Sequence, residues 1–136
     1  MKTKIDIRTL KIQDLQPSQF YISKEKLDGV LSWFYPQDLS NFEPIPIKVL
    51  QDKIVLMDGH TRLVAALLHN IHKVPLVWEM DALSWDMYEA CVEACILREI
   101  HSPYDLKDRI ISKEEYKYKW DAWCDQMQEE VIKRRK

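Results

Sequence analysis

Only two of the 136 residues are glycine, Gly29 and Gly59. A chain so poor in glycine has few places where the backbone turns through positive φ without steric cost. It also has no flexible Gly/Ser linker to divide it. Cysteine is scarce and odd in number, at three, which argues against a disulfide-stapled secreted domain. Residues 1–6 carry no apolar signal core, so reduced thiols and a cytoplasmic location are expected. No apolar run approaches the roughly 20 residues of a membrane span, so no membrane partner is expected either. A surplus of positive charge is also missing. Twenty basic and 22 acidic residues leave a formal charge of -2, which argues against a general nucleic-acid binder held by phosphate contacts. The one dense basic run, Lys133-Arg134-Arg135-Lys136, suits the end of a helix, where cations complement the dipole.

What is present is an ordinary globular composition, 46% apolar and 31% charged, at a length suited to one core. Loose alternation predicts a strand over 5–12. Ser23 is placed to cap a helix over 24–34, with Leu27, Val30, Leu31 and Phe34 on one side. Two β-rich runs, 44–50 and 53–57, flank Gln51-Asp52 and predict a hairpin. A helix follows over 61–68, with Asn70 as a left-handed stop. A strand over 73–78 contains Pro75, which suits an edge or a strand start. Ser84 heads a helix over 85–100. Ser102-Pro103-Tyr104-Asp105 and Ser112-Lys113-Glu114-Glu115 both read as capping boxes. The second opens a long helix striped with Tyr116, Trp120, Trp123, Cys124, Met127 and Val131. The order of elements predicts an α+β fold, a small mixed sheet with packed helices, in residues 1–100. Residues 101–136 are expected to pack on it as a helical extension.

The chemistry concentrates at Asp58-Gly59-His60-Thr61-Arg62. An apolar strand runs into a scarce glycine, and an Ala/Leu-rich helix begins directly after it. Such a turn aims free helix N–H groups and a guanidinium at one spot, which suits a phosphate. Gly59 also suits a plain turn. Thr61 also reads as a helix cap, and Arg62 as a partner for a nearby carboxylate. His60 reads as a donor beside phosphate, as a base, or as a histidine without a task. Asp58 has three readings: a brace for Arg62, a Mg²⁺ ligand, or the acceptor of a substrate proton.

The proline-led strand Glu43-Pro44-Ile45-Pro46-Ile47, the Met57–Arg62 turn, the Ala-rich helix and the Val74-Pro75-Leu76-Val77 strand together resemble the N-terminal domain of ParB-type partition proteins. Sulfiredoxins and free serine kinases are relatives of that domain. The Asp-Gly-His form of the turn is most similar to the free serine kinases. Gly59 and Arg62 match the ends of the partition-protein turn. His60 stands where sulfiredoxins carry their reactive cysteine, so sulfinic acid reduction is not implied. The resemblance implies a nucleotide-binding domain, with Gly59, His60, Thr61 and Arg62 on the phosphates of ATP or ADP. It implies Mg²⁺ at Glu93 and Asp58, with Ala94 standing where the partition proteins have asparagine. Asp58, His60 and Glu43 become the catalytic candidates. Gln19 stands where the kinases place a carboxylate.

The function expected is Mg²⁺-dependent phosphoryl transfer to, or hydrolysis at, a small hydroxyl compound such as a free amino acid. A nucleotide-gated binding module without turnover is the alternative, and a DNA-acting nuclease of the same family label is a third. A homodimer is compatible with either of the first two. Cys91 and Cys95 lie four apart, near His101, and read as core residues rather than zinc ligands. His69 and His72 suit a helix end.

Overall fold

The computed structural model describes residues 5–135, and the chain is α+β. Its elements are β1 (Ile22–Ser23), α1 (Lys24–Leu31), β2 (Ile45–Leu50), β3 (Lys53–Leu56), α2 (His60–Leu68), β4 (Leu76–Trp78), α3 (Trp85–Leu97) and β5 (Ile110–Ile111). Helix α4 (Lys113–Tyr116), a π-helical turn (Lys117–Asp121) and α5 (Ala122–Arg134) then run on without a break.

The main sheet has the order β3-β2-β4. β2 pairs antiparallel with β3 and parallel with β4. Gln51 and Asp52 both take positive φ, 48° and 65°, the signature of a two-residue hairpin whose twist matches its strands. Asn70 takes φ 59° after α2, and the Ile71 N–H returns to the Ala66 carbonyl. Ser23 caps α1 by accepting from the Lys26 N–H at 3.3 Å.

Four expectations are corrected. The first is the strand over 5–12, which is replaced by two 3-10 turns, Ile7–Thr9 and Ile12–Asp14. Asp6 accepts from the Arg8 N–H, and Asp14 accepts from the Lys11 N–H. Short acidic side chains offer the backbone local partners and so outcompete an extended ladder. Helix α1 stops three residues short of 34, and the chain turns so that Phe34 is buried against Phe42. Ser84 precedes α3, but its hydroxyl makes no cap bond. At Ser112 only half of the capping box forms, because the Glu115 carboxylate pairs with Lys119 at 2.9 Å.

Helix α2 is the hub of the fold. Leu63, Val64, Ala65, Ala66 and Leu67 are all buried. Val64 and Ala65 join a core shared with Phe20, Ile22, Cys95 and the C-terminal helices. Leu63, Ala66 and Leu67 join a second core under the sheet, with Ile45, Ile47 and Leu56. Burying both flanks of one helix explains why its residues are small or aliphatic throughout. The C-terminal segment is part of this packing. β5 runs parallel to β1, with Ile22 opposite Ile110. Trp120 and Trp123 stack on each other, and both meet Phe20 edge-on at 4.9 Å.

Candidate functional site

Strand β3 delivers Met57 and Asp58 to the N-terminus of α2, and Gly59 makes the turn between them. Gly59 has φ 83°, and a Cβ there would sit 2.5 Å from Ile45 Cδ1. Glycine is therefore favoured twice over, by the backbone and by the Ile45 and Arg62 side chains that close over the place of a Cβ. Gly59 is the N-cap of α2, and helical conformation begins at His60. Thr61 lies within the first turn and does not cap it, which corrects the sequence reading. The N–H groups of that first turn have no acceptor inside the helix.

His60 is 4% exposed. Its Nε2 accepts the backbone N–H of Ser18 at 3.0 Å. An accepting Nε2 leaves the proton of the neutral ring on Nδ1. Burial pushes the His60 pKa down to about 4, and the nearby Asp58 carboxylate opposes this only in part. The ring is therefore uncharged at neutral pH. With Nε2 occupied, its free function is donation from Nδ1 rather than proton abstraction.

Ser18 belongs to a segment that runs beside β3. Gln16 N–H donates to the Ile54 carbonyl, and Leu56 N–H donates to the Gln16 carbonyl, both at 2.8 Å. The Ser18 hydroxyl donates to the Leu56 carbonyl at 2.6 Å. The buried Gln16 amide reaches the Ile100 carbonyl at 2.9 Å and ties this segment to the end of α3. The residue holding the His60 ring is thus itself held by the edge of β3.

The five turn residues do not face one way. Asp58 and His60 open onto a hollow of about 270 Å³. Its polar lining adds Ser18, Gln19, Ser84, Tyr88 and Gln128, and its apolar lining includes Met87, Cys91, Trp120 and Met127. Arg62 is not part of this hollow, and its guanidinium lies over Gly59. Its Nη1 donates to the Glu43 carbonyl at 2.9 Å, and its guanidinium lies 5.8 Å from the centre of the Phe42 ring. No ion pair joins Arg62 to Asp58 among the described residues, so the bracing role read for Asp58 is corrected. The Asp58 Oδ1 instead accepts the Gly59 N–H at 2.8 Å.

Glu43 is exposed, and its link to the turn is its main-chain carbonyl rather than its carboxylate. Glu93 is exposed on α3 and borders a separate groove with Asp86, Glu89, Arg134 and Arg135. Asp58 and Glu93 therefore line different hollows. No group of three or more His, Cys, Asp or Glu suited to a metal occurs among the described residues. Cys91 and Cys95 are buried, which pushes both thiols up to about 12.

Gln19 enters the hollow from the loop after Pro17. Its amide donates to the Tyr21 carbonyl at 2.8 Å and to the Tyr116 hydroxyl at 3.0 Å. Both bonds use the nitrogen, which leaves the carbonyl oxygen as an acceptor. Tyr88 is raised above the usual phenol range, first by burial and then by the Asp58 and Glu79 carboxylates. The C-terminal helix closes the site, with Trp120 at the π-helical turn and Met127 on α5. π-bulges recur at functional sites. Sequence reasoning missed Ser18, Ser84 and Tyr88, since none stands in a motif. Only the fold brings them beside Asp58.

No protein-family model and no curated protein matches the chain. Among solved structures, the chain is similar to the crystal structure of protein Atu1540 from Agrobacterium tumefaciens, at 16% identity and a TM-score of 0.44. That match covers 71% of this chain and 59% of the other.

Proposed function

We propose that the Asp58–Arg62 turn binds the phosphates of ATP or ADP, and that a phosphoryl group passes to a small hydroxyl compound seated in the adjoining hollow. The observation that carries this reading is the meeting, at one small cavity, of a helix N-terminus and a carboxylate with no ion pair among the described residues. At about 270 Å³, the cavity falls below the roughly 300–1,000 Å³ typical of drug-sized ligands. That size suits a small acceptor and leaves a nucleotide at the rim, beside the open N–H groups of α2. The resemblance of the turn to free serine kinases and partition proteins supports the same assignment.

In this reading, the acceptor hydroxyl gives its proton to Asp58 and its oxygen bonds to the terminal phosphorus. The bridging P–O bond breaks, and the nucleotide leaves with one phosphate fewer. Neutral His60 donates from Nδ1 to oxygen that gains charge. Thr61 and the first-turn amides hold phosphate oxygens. Magnesium characteristically takes one or two carboxylates plus substrate phosphates; with Asp58 engaged as proton acceptor and Glu93 across a different groove, the ion would enter on the nucleotide phosphates at the rim. When bound, the ion would supply neutralisation of phosphate charge.

The test is nucleotide consumption with Mg²⁺ and a panel of small alcohols and amino acids. Asp58→Asn should abolish turnover and leave nucleotide affinity within a few-fold, and Thr61→Ala should weaken nucleotide affinity. Nucleotide binding without consumption would favour the gated-module reading. Absence of binding would remove both.

A further inference from the structure

The hollow beside Asp58 has a one-sided charge inventory. Thirteen of the described residues line it, and among them Asp58 is the single one charged at neutral pH, since His60 is neutral. Neither a lysine nor an arginine borders it among the described residues. The Glu79 carboxylate, like Asp58, pushes the Tyr88 phenol up. The remaining polar groups are neutral, the Gln128 amide among them, and offer acceptors. The Gln19 carbonyl oxygen and the hydroxyls of Ser84 and Tyr88 make no hydrogen bond as acceptors among the described residues. Met87, Met127 and the ring of Trp120 also line the cavity. Thioether and indole surfaces suit methylene or methyl groups, and aromatic rings attract cations.

From this arrangement we infer that the acceptor is a small hydroxyl compound bearing an amine and no carboxylate, an amino alcohol in chemical class. An ammonium presents three donors and no acceptor, which complements Asp58 and the oxygens around it. A carboxylate on the same ligand would meet no lysine or arginine among the described lining residues and would face an anion already there, an uncompensated desolvation. The inference rests on the hollow being the acceptor pocket and sharpens which acceptor it takes.

Calorimetry on the whole chain tests it with three probes of similar size: 2-aminoethanol, its neutral counterpart ethylene glycol, and serine. 2-Aminoethanol should bind at least tenfold more tightly than either of the others, and Asp58→Asn should remove that preference. Asn keeps an oxygen for the Gly59 N–H, so the turn is retained. Equal binding of ethylene glycol would overturn the charge argument, and tighter binding of serine would overturn the exclusion of a carboxylate. ATP and ADP binding is measured on the same samples. Nucleotide binding without any amine binding would refute this inference and leave the phosphoryl-transfer reading standing. Amine binding without nucleotide binding would support the pocket assignment and refute the transfer.

Discussion

Lowering the pH from 7.5 to 5 offers His60 a proton that the folded chain resists. In the unfolded chain the imidazole has its ordinary value near 6.5, and in the fold it lies at about 4. Above pH 6.5 both states are neutral there, and the histidine adds no pH dependence. Between 6.5 and 4 the unfolded state holds the proton and the native state does not, so stability falls as pH falls. Each pH unit in that window corresponds to about 1.4 kcal/mol, giving a loss of about 2 kcal/mol by pH 5. The structural cause is specific. Protonation would put a charge on a buried ring and turn Nε2 from an acceptor into a second donor facing the Ser18 N–H. Urea unfolding followed by tryptophan fluorescence, at pH 7.5 and pH 5, measures the loss. Carboxylates titrate too, so the comparison is with His60→Gln, whose amide oxygen can accept the Ser18 N–H and cannot titrate. The stability gap between wild type and His60→Gln should shrink by about 2 kcal/mol from pH 7.5 to pH 5. A gap that stays constant, or a His60 ring resonance titrating with a midpoint above 6, would refute the burial argument.

The two glycines should respond in opposite directions. Gly29 is an exposed position inside helix α1, and a Cβ placed on it would meet nothing within 4 Å, so Gly29→Ala should raise stability by about 0.5–1 kcal/mol. Gly59→Ala should lower it by about 2 kcal/mol or more, from φ strain and the clash with Ile45. Adding Ile45→Val, which removes Cδ1, should recover only part of that loss in a melting assay. Gln16→Ala leaves the buried Ile100 carbonyl without the Gln16 amide and should cost about 2 kcal/mol in denaturant unfolding. All three thiols are pushed up to about 12, so they should label slowly with a disulfide reagent at pH 8 when native and fully in urea. Rapid native labelling of Cys91 or Cys95 would contradict their burial.

Much of the architecture is legible in the sequence because it depends on near neighbours. The hairpin at Gln51-Asp52, the stop at Asn70 and the cap at Ser23 follow from local backbone chemistry. The apolar stripe of the last helix is also visible, since helical periodicity survives whatever it packs against. The strand expected over 5–12 does not form for an equally local reason, the two aspartates that hold its backbone in turns. β1 and β5 cannot be read, because two-residue strands have no periodicity and exist only by pairing across 88 positions, Ile22 with Ile110.

For the site, the order of residues is enough to show that one turn joins a strand to a helix through Gly59 and carries Asp58, His60, Thr61 and Arg62. It does not say where those side chains go. Folding settles that Arg62 turns back to the Glu43 carbonyl, that Glu93 borders a different groove, and that Asp58 and His60 face a hollow closed by Trp120 and Met127. Folding also makes His60 neutral, since that depends on burial and on the Ser18 N–H, 42 residues away. The division has one physical reason. Backbone conformation is set largely by adjacent residues, whereas charge state, cavity shape and ligand class are set by groups that come together only in the packed chain.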